Sequence, residues 1–306
     1  MGDTKMKIAI IGGGAVGLTY AAFLAPVAKI IVKTHEKAQA ESISRDGIQL
    51  TLVGEIEEIN DVSASSVFES IRDCDAVIIA LKSYNTEPVA KELSNVIGSD
   101  VPIISLQNGL QAVDTLKRVI ANPGRIFAGI TYIGAKRTDY RSVKLGQNRR
   151  TVIDAKAGPI LDVFIRSRFG VERSDNIQQA IWDKMVLNNG QNALSAVTNL
   201  SVQQMLASPE CLHMASELLA ELKAVGEAEG ITFDYSLIEK LKSNWSDGSD
   251  FYPSMWQDLH AGRKTEIDAI NGAICKLGEK HNIATPYNGI ITQLIKVFEK
   301  QGKVAP

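Results

Sequence analysis

The chain has 306 residues, 45% of them hydrophobic and 22% charged, and its 33 basic against 35 acidic side chains leave a formal net charge of −2. That is an ordinary globular composition with room for about two domains, and it favours neither nucleic acid nor an anionic membrane surface as a partner. No run of 18 apolar residues calls for a transmembrane helix, and the first apolar run, IAII, is too short for a signal-peptide core.

Lys7 to Ile11, KIAII, is a short apolar run rich in β-branched residues and reads as a buried parallel strand. It leads into Gly12-Gly13-Gly14-Ala15-Val16-Gly17, then into LTYAAFLA, which reads as helix. Strand, glycine loop and helix in that order are the context in which G-x-G-x-x-G binds a dinucleotide. Gly12 permits the tight turn, Gly14 lets backbone approach a pyrophosphate, and Gly17 lets the helix pack on the strand. The helix start, including Ala15 and Val16, offers N–H groups and a partial positive charge to the phosphates. The bland alternative is a glycine turn that serves the fold alone.

The next strand is Lys29 to Val32, and the residues beyond it should meet the adenosine ribose. An acid there suits the 2′-hydroxyl of NAD, and a basic cluster suits the 2′-phosphate of NADP. Thr34 and His35, with Lys33 and Lys37 nearby, lean towards NADP, while Glu36 keeps NAD open. Asp75 to Leu81 is a buried strand that ends at Lys82, and Val101 to Leu106 ends at Gln107-Asn108-Gly109. Ligands of doubly wound sheets sit outside the carboxyl ends of the strands, so Lys82 and Asn108 are candidates for cofactor or substrate contact. Equally, Lys82 reads as an exposed charge and Asn108-Gly109 as a turn. RIFAGITYIGA, SVKLG and RTVIDA follow as strands, expected to extend the sheet in antiparallel fashion.

From about Asp175 helical periods take over: Ile177 to about Val197, Pro209 to Glu229, Ser236 to Trp245, Thr265 to His281 and Tyr287 to Gln301, punctuated by Gly230, Gly248 and Pro286. The expected domains are therefore 1–175, a dinucleotide-binding sheet domain, and 176–306, a helical domain carrying substrate and catalytic groups. In the first predicted helix, WDKMVLNNGQN sets Lys184, Asn188 and Asn192 four residues apart, so they span about 80° on one side. A solvent face would favour Glu, Lys, Arg or Gln, which are better helix formers than Asn. Two asparagines in line with a lysine suggest fixed polar groups aimed at something, although a plain water-facing stripe is the alternative. Asn189 lies off that line and is expected to cap or to face solvent. Glu266 reads as an acid at a helix start, favoured by the dipole, or as a carboxylate that steers a lysine.

Cys74, Cys211 and Cys275 are far apart with no CxxC pair, and the four histidines show no HxxxH or HExxH spacing. Neither a disulfide framework nor a metal site is expected, and a reducing, cytoplasmic setting fits.

In order and spacing, GGGAVG, ALKSYN, SLQNG, WDKMVLNNGQN, YPSMWQD and KTEIDAINGAI resemble the ketopantoate reductase (2-dehydropantoate 2-reductase) family over nearly the whole chain. The resemblance implies an α/β fold: an N-terminal Rossmann-type doubly wound sheet and a C-terminal all-helical domain, with the active site in the cleft between them. It implies Lys184 as general acid, Asn188 and Asn192 as substrate-binding amides, Ser254 as the hydroxyl on the substrate carboxylate, and Glu266 as the acid beside the lysine and the nicotinamide ribose. Asn108 and Lys82 would lie at the cofactor and substrate end of the sheet, and Ala135 would make a backbone contact to the cofactor. Two departures stand out: Gln111 replaces the last glycine of the family's QNG-x-G, and His35 stands where the family commonly has the arginine that binds the NADP 2′-phosphate.

The implied reaction is reduction of a 2-keto acid, 2-dehydropantoate to pantoate, by hydride transfer from NADPH with Lys184 as proton donor. The alternative is an NAD-dependent D-2-hydroxyacid dehydrogenase acting on branched or aromatic 2-keto acids; a 3-hydroxyacid dehydrogenase and a non-catalytic dinucleotide sensor rank below it. The expected partner is a small-molecule 2-keto acid, with no nucleic acid and no membrane, and a homodimer is left open.

Overall fold

In the computed structural model, which describes residues 5–146, 149–246 and 250–301, the chain divides into two units: Met1–Gln107 with Ala112–Ile177, and Asn108–Gln111 with Gln178–Pro306. The predicted punctuation at Gly248 lies outside the described residues.

The first unit runs β1 (Lys7–Ile11), α1 (Ala15–Leu24), β2 (Lys29–Lys33), α2 (Lys37–Asp46), β3 (Ile48–Leu52), β4 (Glu55–Ile59), β5 (Val62–Ser65), β6 (Ala76–Ile79), α3 (Thr86–Val96), β7 (Ile103–Ser105), α4 (Ala112–Val119), β8 (Ile126–Thr131), β9 (Ala135–Arg137), β10 (Ser142–Leu145), β11 (Arg150–Asp154), α5 (Pro159–Arg166) and β12 (Gly170–Ser174). Successive side chains of β1 point to opposite faces. Ile8 and Ile10 join one core with Leu18 and Phe23 of α1, while Ala9 and Ile11 join another with Leu93 of α3 and Leu116 of α4. Burial on both faces explains why β1 reads as a continuous apolar run, with each buried Ile or Leu contributing about 1.5–3 kcal/mol.

Among the described residues the main sheet has eight strands in the order β12-β11-β8-β7-β6-β1-β2-β5. From β5 to β8 every neighbouring pair is parallel. Taken as six parallel strands in chain order, this is the 3-2-1-4-5-6 arrangement of a dinucleotide-binding sheet, and the order reverses beside β1. The expected antiparallel extension is corrected. β8 is parallel to β7, and only β11 turns antiparallel, against β8, while β12 runs parallel to β11. β9 and β10 leave this sheet for a second one, β4-β3-β10-β9. Short polar strands such as EIEEI carry no long apolar run, which is why the second sheet escaped the sequence.

The second unit contains α6 (Ile177–Thr198), α7 (Val202–Leu206), α8 (Pro209–Ala228), α9 (Leu237–Trp245), α10 (Ser254–His260), α11 (Asn271–His281) and α12 (Pro286–Gln301). Residues 185–196 of α6 are buried without a break. A Cβ on Gly190 would meet Leu241 at 2.8 Å and Leu219 at 3.4 Å, so glycine here permits α6 to lie close to α8 and α9. The helix expected from Thr265 to His281 is interrupted: a single 3-10 turn, Ile267–Ala269, precedes a break at Ile270 (φ −106°, ψ −93°), and α11 starts only at Asn271. The backbone of Gly109 sits beside the break. It lies against Ala269, whose carbonyl accepts from Leu110 N at 3.4 Å. Among the described residues no helix is long and apolar enough to cross a membrane.

Candidate active site

The glycine loop follows β1, where the strand order reverses. Gly12 has φ +123°, and a Cβ there would stand 2.7 Å from the Ala80 carbonyl oxygen just past β6. Its N–H donates to the Lys33 carbonyl at 2.9 Å, tying the loop to the end of β2. A Cβ on Gly17 would overlap the Gly12 carbonyl. The fold itself therefore demands both glycines. Gly14 is different: its backbone is ordinary (φ −80°, ψ −177°) and a Cβ would find nothing within 4 Å. The open space lies at the N-terminus of α1, which has no side-chain cap and no acid in its first turn. Ala15, Val16 and Gly17 form that turn. Its unpaired N–H groups and dipole suit a diphosphate, so the residues present fit a dinucleotide.

Past β2, Thr34 is buried and its hydroxyl donates to the Glu36 carbonyl at 2.9 Å, while His35 is exposed. The basic cluster expected here is thinner than the sequence suggests. Lys33 is buried, with Nζ 2.8 Å from the Thr34 carbonyl and 4.3 Å above the Phe68 ring, and burial lowers its pKa. Lys37 pairs with Glu41 at 3.6 Å. The Glu36 carboxylate accepts from Tyr140 Oη at 3.1 Å, and this bond raises the phenol's pKa. The Gly13 carbonyl accepts twice, from Gln39 Nε2 at 2.7 Å and from Arg137 Nη1 at 3.2 Å.

Lys82, half-buried, immediately precedes a 3-10 turn, Ser83–Asn85, beyond β6. Ala135 opens β9 and pairs with Leu145. Beyond β7, Gln107 Nε2 donates to Thr86 Oγ1 at 2.8 Å and Gln107 Oε1 accepts from Ser105 Oγ at 3.1 Å. The next residue, Asn108, already belongs to the second unit. Its Nδ2 donates to Glu266 Oε2 at 3.3 Å, and Glu266 is buried at the start of the Ile267–Ala269 turn.

On α6, Lys184, Asn188 and Asn192 occupy successive i, i+4 positions and so share a face. Lys184 is half-buried, and the two asparagines are buried. Asn188 is only 5% exposed, and its Nδ2 has no hydrogen-bond partner among the described residues. A buried amide left unpaired costs about 1–3 kcal/mol; Asn189 Oδ1, Asn271 Oδ1 and Thr292 Oγ1 are buried without a partner in the same way. The expectation that Asn189 caps or faces solvent is corrected. It is fully buried, its Nδ2 donates to Asn288 Oδ1 at 2.6 Å, and its carbonyl accepts from Asn271 Nδ2 at 3.3 Å. Ser254 is the exposed first residue of α10, and its hydroxyl makes no hydrogen bond to another described residue.

The structure thus joins Asn108 to Glu266 and aligns Lys184 with Asn188 and Asn192, while Ser254 stays unattached. It also brings forward groups that the sequence reading passed over. Gln39, Arg137 and Tyr140 gather at the glycine loop through contacts 26 to 124 residues apart in sequence, and no local motif announces such contacts. Glu221 is buried and accepts from Tyr287 N at 2.8 Å and from Asn288 N and Nδ2 at 2.9 and 2.7 Å. This network anchors α6 through Asn288 and Asn189.

Comparison with known proteins follows the same division. The family described as Ketopantoate reductase PanE/ApbA matches residues 8–158, and its C-terminal part, Ketopantoate reductase PanE/ApbA C terminal, matches residues 176–299. A 2-dehydropantoate 2-reductase of Streptococcus pyogenes serotype M3 is 27% identical over 96% of this chain and 98% of its own length. The crystal structure of a PanE/ApbA family ketopantoate reductase from Ralstonia eutropha JMP134 superposes with a TM-score of 0.90 at 27% identity, covering 97% of this chain and 99% of that one. D-mandelate dehydrogenase, in its ternary structure with NADH and anilino(oxo)acetate, also gives 0.90, at 26% identity over 98% of this chain and all of the other. On the strength of the two family matches, which together span both units, the chain belongs to the ketopantoate reductase family.

Proposed function

We propose that this protein reduces 2-dehydropantoate to pantoate with NADPH. The observation that carries the reading is the α6 face, where Lys184 lines up with Asn188 and Asn192 and Asn188 Nδ2 is buried without a hydrogen-bond partner among the described residues. A cation in line with two neutral amides suits a 2-keto acid: the amides hold substrate oxygens without competing for the proton, and the lysine meets the charge that develops on the keto oxygen.

The nicotinamide supplies a hydride when bound. Gly12, Gly13, Gly14, Ala15, Val16 and Gly17 would hold the diphosphate, Thr34 and His35 the adenosine ribose, and Lys82 and Ala135 further parts of the cofactor. Lys184 Nζ donates a proton to the keto oxygen as the carbonyl carbon is reduced. Glu266, held by Asn108, helps to position the lysine and the ribose. Asn188 donates through its unpartnered Nδ2 to a substrate oxygen, Asn192 adds a second amide, and Ser254 donates its hydroxyl to the carboxylate. Donors held in place before substrate arrives lower the barrier because they need no reorganisation. NADPH is the cofactor of this reading, with exposed His35 beyond β2 and Glu36 accepting from Tyr140. A reducing, cytoplasmic setting is part of the same proposal, in keeping with three free cysteines.

A second reading is an NAD-dependent D-2-hydroxyacid dehydrogenase acting on branched or aromatic 2-keto acids, and the likeness to D-mandelate dehydrogenase favours it. Steady-state rates with NADPH and NADH, each offered 2-dehydropantoate, 2-ketoisovalerate, phenylpyruvate and benzoylformate, separate the two. Fastest turnover of 2-dehydropantoate with NADPH supports the first reading. Fastest turnover of an aromatic keto acid with NADH replaces it with the second.

A further inference from the structure

Two segments of the first unit, α2 and the β9–β10 hairpin, converge on the carbonyl of Gly13. The glycine loop is tied to the end of β2 by the bond from Gly12 N to the Lys33 carbonyl, 2.9 Å. Gln39 of α2 donates through the same Nε2 to the carbonyls of Gly13 (2.7 Å) and Tyr140 (2.8 Å), bracing the loop against the β9–β10 hairpin. From that hairpin Arg137 reaches the Gly13 carbonyl with Nη1, 3.2 Å away. Among the described residues Arg137 forms no ion pair, since the nearby acid, Glu36, accepts from Tyr140 instead. At the end of β2, Lys33 is buried against Thr34 and Phe68, and Lys37 pairs with Glu41. Arg137 is therefore an exposed, unpaired guanidinium at the edge of a loop suited to a diphosphate. It stands beside the strand end where an adenosine ribose would lie.

We propose that Arg137 is the cationic residue that binds the 2′-phosphate of the cofactor's adenosine, supplied from β9 of the second sheet rather than from the end of β2. This rests on the dinucleotide reading of the glycine loop given above. One guanidinium N–H is used on Gly13, which fixes the side chain, and the planar fork keeps further N–H groups for phosphate oxygens. Exposed His35 lies on the β2 side of the same subsite. Glu36, on the same side, accepts from Tyr140 through one carboxylate oxygen.

The test uses the full chain and two fragments that differ only in the group in question, 2′,5′-ADP and 5′-AMP, titrated by calorimetry into the wild type, Arg137→Ala and Arg137→Lys. The wild type is expected to bind 2′,5′-ADP about tenfold or more tightly than 5′-AMP, the size of a charge-assisted contact. In Arg137→Ala that preference should fall to within about twofold with 5′-AMP affinity unchanged, and Arg137→Lys should keep part of it. Equal binding of the two fragments by the wild type, or an undiminished preference in Arg137→Ala, overturns the 2′-phosphate assignment alone. Loss of both fragments in Arg137→Ala also overturns it, because Arg137 then merely supports the loop. If the wild type binds neither fragment, the dinucleotide reading itself fails.

Discussion

At the residue scale the proposed site rests on one helix face of α6. Lys184 is half-buried in line with Asn188, whose Nδ2 is buried and unpartnered. We predict that Lys184→Ala lowers kcat by orders of magnitude while cofactor affinity, read from NAD(P)H fluorescence, stays within about twofold. Near-normal turnover in that variant would remove Lys184 from the proton-donor role. Asn188→Ala removes a costly unpaired amide from the unliganded protein and a contact from the complex. Its melting temperature should therefore be unchanged or raised while KM for the keto acid increases about tenfold or more; a lowered melting temperature with unaltered KM would make Asn188 a core residue instead. The line of Lys184, Asn188 and Asn192 was legible in the sequence because helix geometry converts a four-residue spacing into a shared face. Asn189 was misread for a related reason. Its angle on α6 was right, but a helix buried all round has no solvent side, and burial depends on α8, α11 and α12, which the α6 sequence cannot reveal.

Among the elements, the glycine loop separates residues the fold requires from one it does not. Gly17→Ala should destabilise the protein by a few kcal/mol, because its Cβ would overlap the Gly12 carbonyl, which is backbone and cannot swing aside. Gly14→Val should leave the melting temperature nearly unchanged, since a Cβ there meets nothing within 4 Å, yet abolish cofactor binding. Equal thermal stability for Gly17→Ala and the wild type, or unaltered fluorescence titration for Gly14→Val, would contradict this division of labour. The start of α12 offers a parallel case: the Glu221 carboxylate on α8 accepts from Tyr287 N and Asn288 N in its first turn. Glu221→Ala would strand those donors and should cost about 1–3 kcal/mol for each in urea unfolding; a change below about 1 kcal/mol would contradict the assignment. The long helices and the β1–loop–α1 unit were readable because each announces itself within a dozen residues. The second sheet and the break at Ile270 were not, because each depends on a remote partner: Ser142 to Leu145 pairs with Gln49 to Leu52, and Ala269 meets Leu110.

For the whole molecule, acid sensitivity follows from carboxylates held below their ordinary range by basic partners. Glu57 is lowered by Arg168, Glu58 by Arg141, Glu172 by Arg150, and Glu229 by Lys280 and His281. A carboxyl with a lower pKa folded than unfolded contributes stability that is fully present above its unfolded value. For glutamate that value is 4.5, and the contribution is lost as the pH falls through the folded pKa. The urea midpoint should therefore be flat near neutrality and decline below about pH 4.5, modestly, because these pairs are solvent-screened; a midpoint that holds or rises on acidification would contradict the assignment.

The central claim is that the α6 line and the glycine loop serve one reduction. The most direct measurement is the loss of absorbance at 340 nm when NADPH and 2-dehydropantoate are mixed with the wild type and with Lys184→Ala. The account predicts rapid oxidation of NADPH by the wild type, dependent on the keto acid, and a rate lower by orders of magnitude in the variant. No oxidation of NADPH or NADH by the wild type with 2-dehydropantoate, 2-ketoisovalerate, phenylpyruvate or benzoylformate would contradict it.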